Sequence, residues 1–392
     1  MLDERLLRAL DHLVSLPTES RTPNRELIDW VADVLDTFGC RVAIIDGPEG
    51  RADLLASLGP PCEGGVLLSG HTDVVPAGQG WASDPYSVTA VADTLVGRGT
   101  ADMKGFIACA LNVIEDTDPA RLTRPIHVAL SYDEEVGCVG VRDLLEHVRH
   151  RSASVIAPDL VLIGEPTMMR PSHAHAGKLA YRLDVSARAA HSSLSPYMPS
   201  AIVAAVHVVN ALESIGAPFQ REDVQQKESA DVAPISVNVG SMHGGTALNV
   251  LAERCEVSFE LRHDASVDPD AALAPLWAVV AEERRRLAAV GGGVEQIELT
   301  RYPALATDRD DRMVRLVERA ADRGRSVPIG YGTEGGLFAE AMAAPVVICG
   351  PGDIAVAHRP DEFVTIDQLQ SCVRFLARIV EELCVNADSL AS

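Results

Sequence analysis

The chain is short of positive charge: 34 Lys and Arg stand against 56 Asp and Glu, a formal net charge of −22. That balance argues against a basic footprint for nucleic acid and against an electrostatic grip on anionic membrane, so neither is expected as a partner. The eight cysteines, at 40, 62, 109, 138, 255, 349, 372 and 384, include no C-x-x-C pair. Thiols scattered in this way fit reduced cysteines in a cytoplasm better than a disulfide framework. The opening MLDERLLRALDHL lacks the basic start and apolar core of an export signal, which adds to the cytoplasmic expectation. The most apolar long run, AIVAAVHVVNAL at 201–212, reads as too short for a membrane span. Internal repeats and low-complexity tracts are lacking. So is the G-x-S-x-G elbow of serine hydrolases. GRGTAD at 97–102 has neither the remaining Rossmann glycine nor the Lys-Ser/Thr of a Walker loop, which removes the common phosphate cradles.

With 392 residues, 47% of them hydrophobic, the chain is large enough for a substantial core and for two domains. Five stretches run from an apolar strand-like segment into a hard metal-ligand side chain. They are VLLSGHTD (His71, Asp73), RGTADMKG (Asp102), IHVALSYDEE (Glu134, Glu135), DLVLIGEPT (Glu165) and APVVICGPGDIAVAH (His358). Taken singly, His71 reads as a loop histidine and Asp102 as the N-cap of a helix starting near Lys104. As a set they are what an α/β sheet needs to gather a site beyond the carboxyl ends of its strands.

Two divalent ions about 3.5–4 Å apart need one ligand that touches both, and a carboxylate bridges where an imidazole cannot. Asp102 is the candidate bridge, with His71 and Glu165 on one ion and Glu135 and His358 on the other. Mixed imidazole and carboxylate donors suit Zn²⁺, with Co²⁺ or Mn²⁺ also accommodated. Glu134 is left over. If the Glu134–Glu135 pair sits on a turn, one carboxylate ligates while the other faces substrate as a general base toward water whose pKa the metal lowers to about 7. Asp73, two residues beyond His71, is expected to accept the ring N–H of that histidine and so fix its tautomer.

These residues, with SGHTDVVP (69–76), GRGTADMKG (97–105), DEEVGCVG (133–140), GEPT (164–167), AAHSS (189–193), GGTALN (244–249) and the run at 332–363, resemble a known family over nearly the whole chain. It is the family of dinuclear zinc amidohydrolases and peptidases that holds acetylornithine deacetylase, succinyl-diaminopimelate desuccinylase and glutamate carboxypeptidase. The resemblance implies the same ligand, bridge and base assignments. It also implies a mixed-sheet α/β catalytic domain with an inserted α+β lid and dimerisation domain, hence a homodimer. The ligands cluster in 71–165 and return only at 358, which places the insertion at 181–303 and the catalytic domain at 1–180 and 304–392. Alternating strands at 181–187, 234–242, 255–262 and 294–302, with helices at 197–215 and 268–290, support that division.

For substrate, the resemblance implies that His191 polarises the scissile carbonyl from a neighbouring subunit and that Asn249 and Arg262 hold substrate, Arg through a bidentate fork. Glu334, in GTEGG, is expected near the pocket mouth, where it would favour a cationic side chain; the other reading places it in the first turn of a helix, complementing the dipole. The activity implied is removal of an acyl group, acetyl first, from the α-nitrogen of an ornithine-like amino acid. Other N-acyl-amino-acid deacylases, desuccinylases, carboxypeptidases and a non-catalytic binding module stay open at this point.

Overall fold

The computed structural model describes residues 2–150, 156–220 and 233–386. In chain order its principal strands are β1 (Arg41–Asp46), β2 (Ala52–Leu58), β3 (Val66–His71), β4 (Ile126–Ser131), β5 (Leu160–Pro166), β6 (Gly177–Ser186), β7 (Ile235–Gly244), β8 (Arg254–His263), β9 (Gly293–Tyr302) and β10 (Val346–Gly350). The principal helices are α1 (Glu4–Ser15), α2 (Arg25–Thr37), α3 (Lys104–Asp116), α4 (Val141–His150), α5 (Ala201–Gly216), α6 (Pro269–Ala288), α7 (Arg312–Ala321), α8 (Gly335–Ala341) and α9 (Ile366–Val380). Two compact units result. One comprises Met1–Ala174, Leu305–Pro328 and Thr333–Ser392; the other His175–Ala304 and Ile329–Gly332.

The first unit is built on a mixed six-stranded sheet in the order β1-β2-β4-β3-β5-β10. β1, β2 and β4 pair antiparallel, while β4, β3, β5 and β10 run parallel. The parallel strands are buried on both faces and read as continuous apolar runs, LVLIGEP in β5 being one. α3 is buried from Lys104 through Ile114 and packs between α1 and α9, which explains why its sequence is apolar all round rather than striped. It starts with Met103 at its N-cap and no side-chain cap, so Asp102 is not its capping residue.

The second unit is a four-stranded antiparallel sheet, β7-β8-β6-β9, with α5 and α6 packed on it. Its strands alternate as a half-covered sheet must: Cys255, Val257, Phe259, Leu261 and His263 of β8 are buried and the residues between them are not. Tyr181 and Trp277 meet edge to face at 5.1 Å, tying α6 to β6. Two features go beyond the sequence reading here. Residues 329–332 belong with this unit: His175 bridges to Ile329, and Gly332 lies so close to the Tyr302 ring that a Cβ would approach it within 2.3 Å. The apolar run at 201–212 also continues as helix to Phe219, giving 19 residues of mean hydropathy 1.5, long enough by length to cross a membrane. Its Ala204, Ala205, Val208 and Leu212 are buried in the unit's own core.

Candidate metal centre

Every proposed ligand lies in the first unit, at or just beyond the carboxyl ends of the parallel strands. His71 closes β3, Glu165 is the penultimate residue of β5, and Glu134 and Glu135 follow β4 by three and four residues. His358 comes eight residues after β10, and Asp102 stands just before α3. Local packing holds Glu165 tightly: the Phe106 ring lies so close to the preceding Gly164 that a Cβ there would fall 2.0 Å from its Cγ. Only glycine lets the helix approach the strand this closely.

Asp102 lies between two imidazoles. Its Oδ1 is 3.1 Å from His71 Nε2 and its Oδ2 is 3.1 Å from His358 Nε2. Glu165 Oε1 is 3.8 Å from His71 Nε2, and Glu135 Oε1 is 3.0 Å from His358 Nε2. The ligand atoms of His71, Asp102 and Glu135 lie within 4.8 Å of one another, as do those of His71, Glu134 and Glu165. Glu134 is thus near enough to join the ligands as well as to act beside them. The segment after β4 is a turn: Gly137 N and Cys138 N both donate to the Glu134 carbonyl, and Asp133 and Cys138 take positive φ.

Asp73 acts differently from the sequence expectation. The His71 ring N–H, on Nδ1, is given to the backbone carbonyl of Asp73 at 2.9 Å, while the nearer carboxylate oxygen stands 3.6 Å away. A carbonyl can only accept, so Nδ1 carries a proton. Nε2 gives a second one to Asp102, which against burial raises the imidazolium, and its loss would leave the Nε2 lone pair aimed at the cluster for a cation. The Asp73 carboxylate is spent elsewhere. It accepts from Glu134 N at 2.9 Å, Glu135 N at 3.3 Å and Ser20 Oγ at 2.8 Å, fixing the turn that carries both glutamates.

The electrostatics of the cluster are those of a cation site. Burial, reinforced by neighbouring carboxylates, pushes Glu134, Glu135 and Glu165 above the ordinary range, with His71 opposing. Burial acts on Asp102 in the same sense, but hydrogen bonds from His358 and His71 outweigh it and hold that carboxyl low. The hydrogen bonds His358 gives to Asp102 and Glu135 raise its imidazolium to about 10. Four acidic groups, Asp102, Glu134, Glu135 and Glu165, against two imidazoles leave an excess of negative charge that divalent cations neutralise, and oxygen and nitrogen donors of this kind fit them.

Glu334 does not stand at an opening. It is 1% exposed at the N-cap position of α8, accepts from Ser131 Oγ and, at 3.4 Å, from Ser69 Oγ, and burial lifts it to about 7. From the N-cap of α8 it reaches the Ser69 and Ser131 hydroxyls of β3 and β4, a buried position where the sequence led to the expectation of a pocket mouth.

The remaining sequence candidates lie in the second unit. His191 is exposed, and its Nδ1 accepts from Ser193 N at 3.2 Å, which leaves the ring proton on Nε2 in the neutral form. Asn249 is next to it: its carbonyl accepts from Ser192 N, and Val250 pairs with His191. Arg262, on β8, belongs to the larger sheet and gives its Nε to Glu260 at 3.1 Å. Two buried residues escaped notice in the sequence, Arg98 and Glu362, joined at 2.6 Å. Both sit inside singled-out stretches, four residues before Asp102 and four after His358. That spacing was the available signal.

A mixed sheet gathering carboxylates and imidazoles at its parallel strand ends defines a metal-dependent hydrolase, of the amidohydrolase kind. Residues 67–382 match Peptidase family M20/M25/M40, and the chain belongs to that family. It is 31% identical over 386 residues to the acetylornithine deacetylase of Proteus mirabilis, covering 95% of each chain, and 30% identical over 395 residues to that of Pasteurella multocida, covering 97% of this chain and 98% of the relative. In fold it is similar to an M20 metallo-carboxypeptidase from Sulfolobus solfataricus, with TM-score 0.78, 17% identity and coverage of 97% and 99%. A dinuclear metal-binding M20 peptidase from Bacillus subtilis gives TM-score 0.64 at 14% identity, with coverage of 96% and 98%.

Proposed function

We propose that the protein removes the acetyl group from N2-acetyl-L-ornithine or a close N-acyl amino acid, releasing acetate and the free amino acid. The observation that carries the chemistry is Asp102 with one oxygen at each of two imidazoles, each imidazole having its own glutamate. His71, Glu165 and Asp102 would hold one ion and His358, Glu135 and Asp102 the other, zinc first and cobalt as the substitute. When bound, the ions supply Lewis acidity toward the scissile carbonyl and make water a nucleophile near neutral pH. Glu134 takes the proton from the attacking water and delivers it to the leaving nitrogen. The Nε2–H of His191, supplied from a neighbouring subunit, would stabilise charge on the carbonyl oxygen. Asn249 and Arg262 engage the substrate, Arg262 exchanging Glu260 for the substrate carboxylate.

The relatives at about 30% identity support acetylornithine as substrate. A homodimer is what the family resemblance supports, and it would give cover to exposed apolar side chains of the second unit such as Val203, Val206, Met242 and Leu248. Eight free thiols suit a reducing, cytoplasmic setting. The test is turnover by zinc- or cobalt-loaded protein of N-acetyl-L-ornithine beside N-acetylmethionine, N-acetylglutamate, N-succinyl-diaminopimelate and a dipeptide, with a chelated control. Chelator-sensitive preference for acetylornithine is the expected result; preference for another compound would retain the chemistry and replace the substrate.

A further inference from the structure

Glu362 and Arg98 form an ion pair that is almost fully enclosed, 1% and 2% exposed. Arg98 Nη1 donates to Glu362 Oε2 at 2.6 Å. The other carboxylate oxygen accepts two consecutive backbone N–H groups, those of Ala101 at 3.0 Å and Asp102 at 3.1 Å. The Glu362 carbonyl accepts from Gly97 N at 2.9 Å. One residue therefore binds the 97–102 segment at both its ends. Arg98 is itself held from behind, its guanidinium 5.1 Å from the Trp81 ring centroid and its Nη2 3.4 Å from the carbonyls of Pro76 and Ala77.

Glu362 lies on the segment that carries His358, so this pair joins the backbone of Asp102 to that of one of its two imidazoles. His71 needs no such tie: it closes a paired strand, and its ring is oriented by the Asp73 carbonyl. We infer that Arg98 and Glu362 are positioning residues that set Asp102 against His358, and that they govern occupancy of the His358–Glu135 ion position and not of the His71–Glu165 position. The inference rests on the two-ion reading above. Neither residue touches a reacting atom; each acts through the Asp102 backbone and the His358 turn.

The test is Zn²⁺ titration of chelator-stripped full-length protein by calorimetry, with elemental analysis of bound zinc, for wild type, Glu362→Gln and Arg98→Lys. Glu362→Gln keeps the shape but removes the charge facing Arg98; Arg98→Lys keeps the charge but removes the fork. Wild type is expected to bind two ions. Each folded variant should bind one with near wild-type affinity and a second 10–100-fold more weakly, the usual scale when a group supporting a metal ligand is lost. Thermal melting of the cation-free proteins accompanies the titration, and if Glu362→Gln fails to fold, Arg98→Lys decides. Two ions bound as in wild type, or equal weakening of both, would overturn the assignment while leaving the two-ion reading intact. A wild type that binds fewer than two ions would overturn both together.

Discussion

His71 and Glu165 are carried by β3 and β5, sheet neighbours in register from Val66 opposite Leu160 to Ser69 opposite Ile163, and both side chains are all but buried. Glu135 and His358 are carried by turns. His358 takes a positive φ of 61° and leaves 47% of its side chain exposed. The two halves of the centre share Asp102 yet differ in what holds them. Hydrogen-bonded strands set one half, so its geometry follows from the fold itself. The other half depends on individual side-chain tethers: the Asp73 carboxylate on the glutamate turn, and Glu362 on the segment before α3. A site made this way has a rigid wall and an adjustable one, the adjustable side being the one open to solvent.

The contrast is sharpened first by removing the group assigned to neither half. Glu134→Ala should lower kcat by about 10²–10⁴-fold, the scale of a lost general base. Elemental analysis should still find both ions, and loss of one would put Glu134 among the ligands with His71 and Glu165. Asp102→Ala should weaken both ion positions together. Retention of one unchanged would show that the halves do not share this carboxylate.

The rigid half can be broken from outside. Gly164→Ala forces a Cβ into the Phe106 ring beside Glu165, and overpacking of this kind costs about 1–3 kcal/mol. A lower melting temperature with weaker binding at the His71–Glu165 position is expected, and an unchanged melting temperature would mean the strand and helix move apart freely. The adjustable half is tested by pH. The hydrogen bonds that its ring N–H gives to Asp102 and Glu135 hold His358 protonated up to about 10 without cations, so an ion entering at pH 8 must displace that proton. Because a raised pKa favours the protonated form, affinity at this position should rise by about tenfold per pH unit below about 10. Calorimetry in buffers of different ionisation heat reads the proton released, and none released would contradict a charged His358.

Much of this architecture is legible in the sequence because it is local. An apolar run ending in a ligand marks a buried parallel strand, and HVALSYDEE and LVLIGEP both are. The alternation in CEVSFELR reports a sheet covered on one face, and β8 is such a strand. What escaped depends on how distant segments close. Asp73 meets the glutamate turn 61 residues away, and which of its oxygens, carbonyl or carboxylate, faces His71 is decided by that turn. Nothing near GTEGG reveals that two serine hydroxyls from separate strands enclose Glu334. Arg98 and Glu362 lie 264 residues apart; their places beside Asp102 and His358 single each out, but only the fold joins them as a pair.

The guanidinium of Arg98 against Trp81 also has an optical consequence. Of the three tryptophans, Trp30 lies against His12 and Trp277 against Tyr181, while Trp81 alone adjoins a residue bonded into the segment that bears Asp102. A change in that segment alters the cation beside this indole and leaves the surroundings of the other two as they were. Trp81 emission is therefore a built-in fluorescent gauge of the loop, readable in unlabelled protein while ions are added or withdrawn.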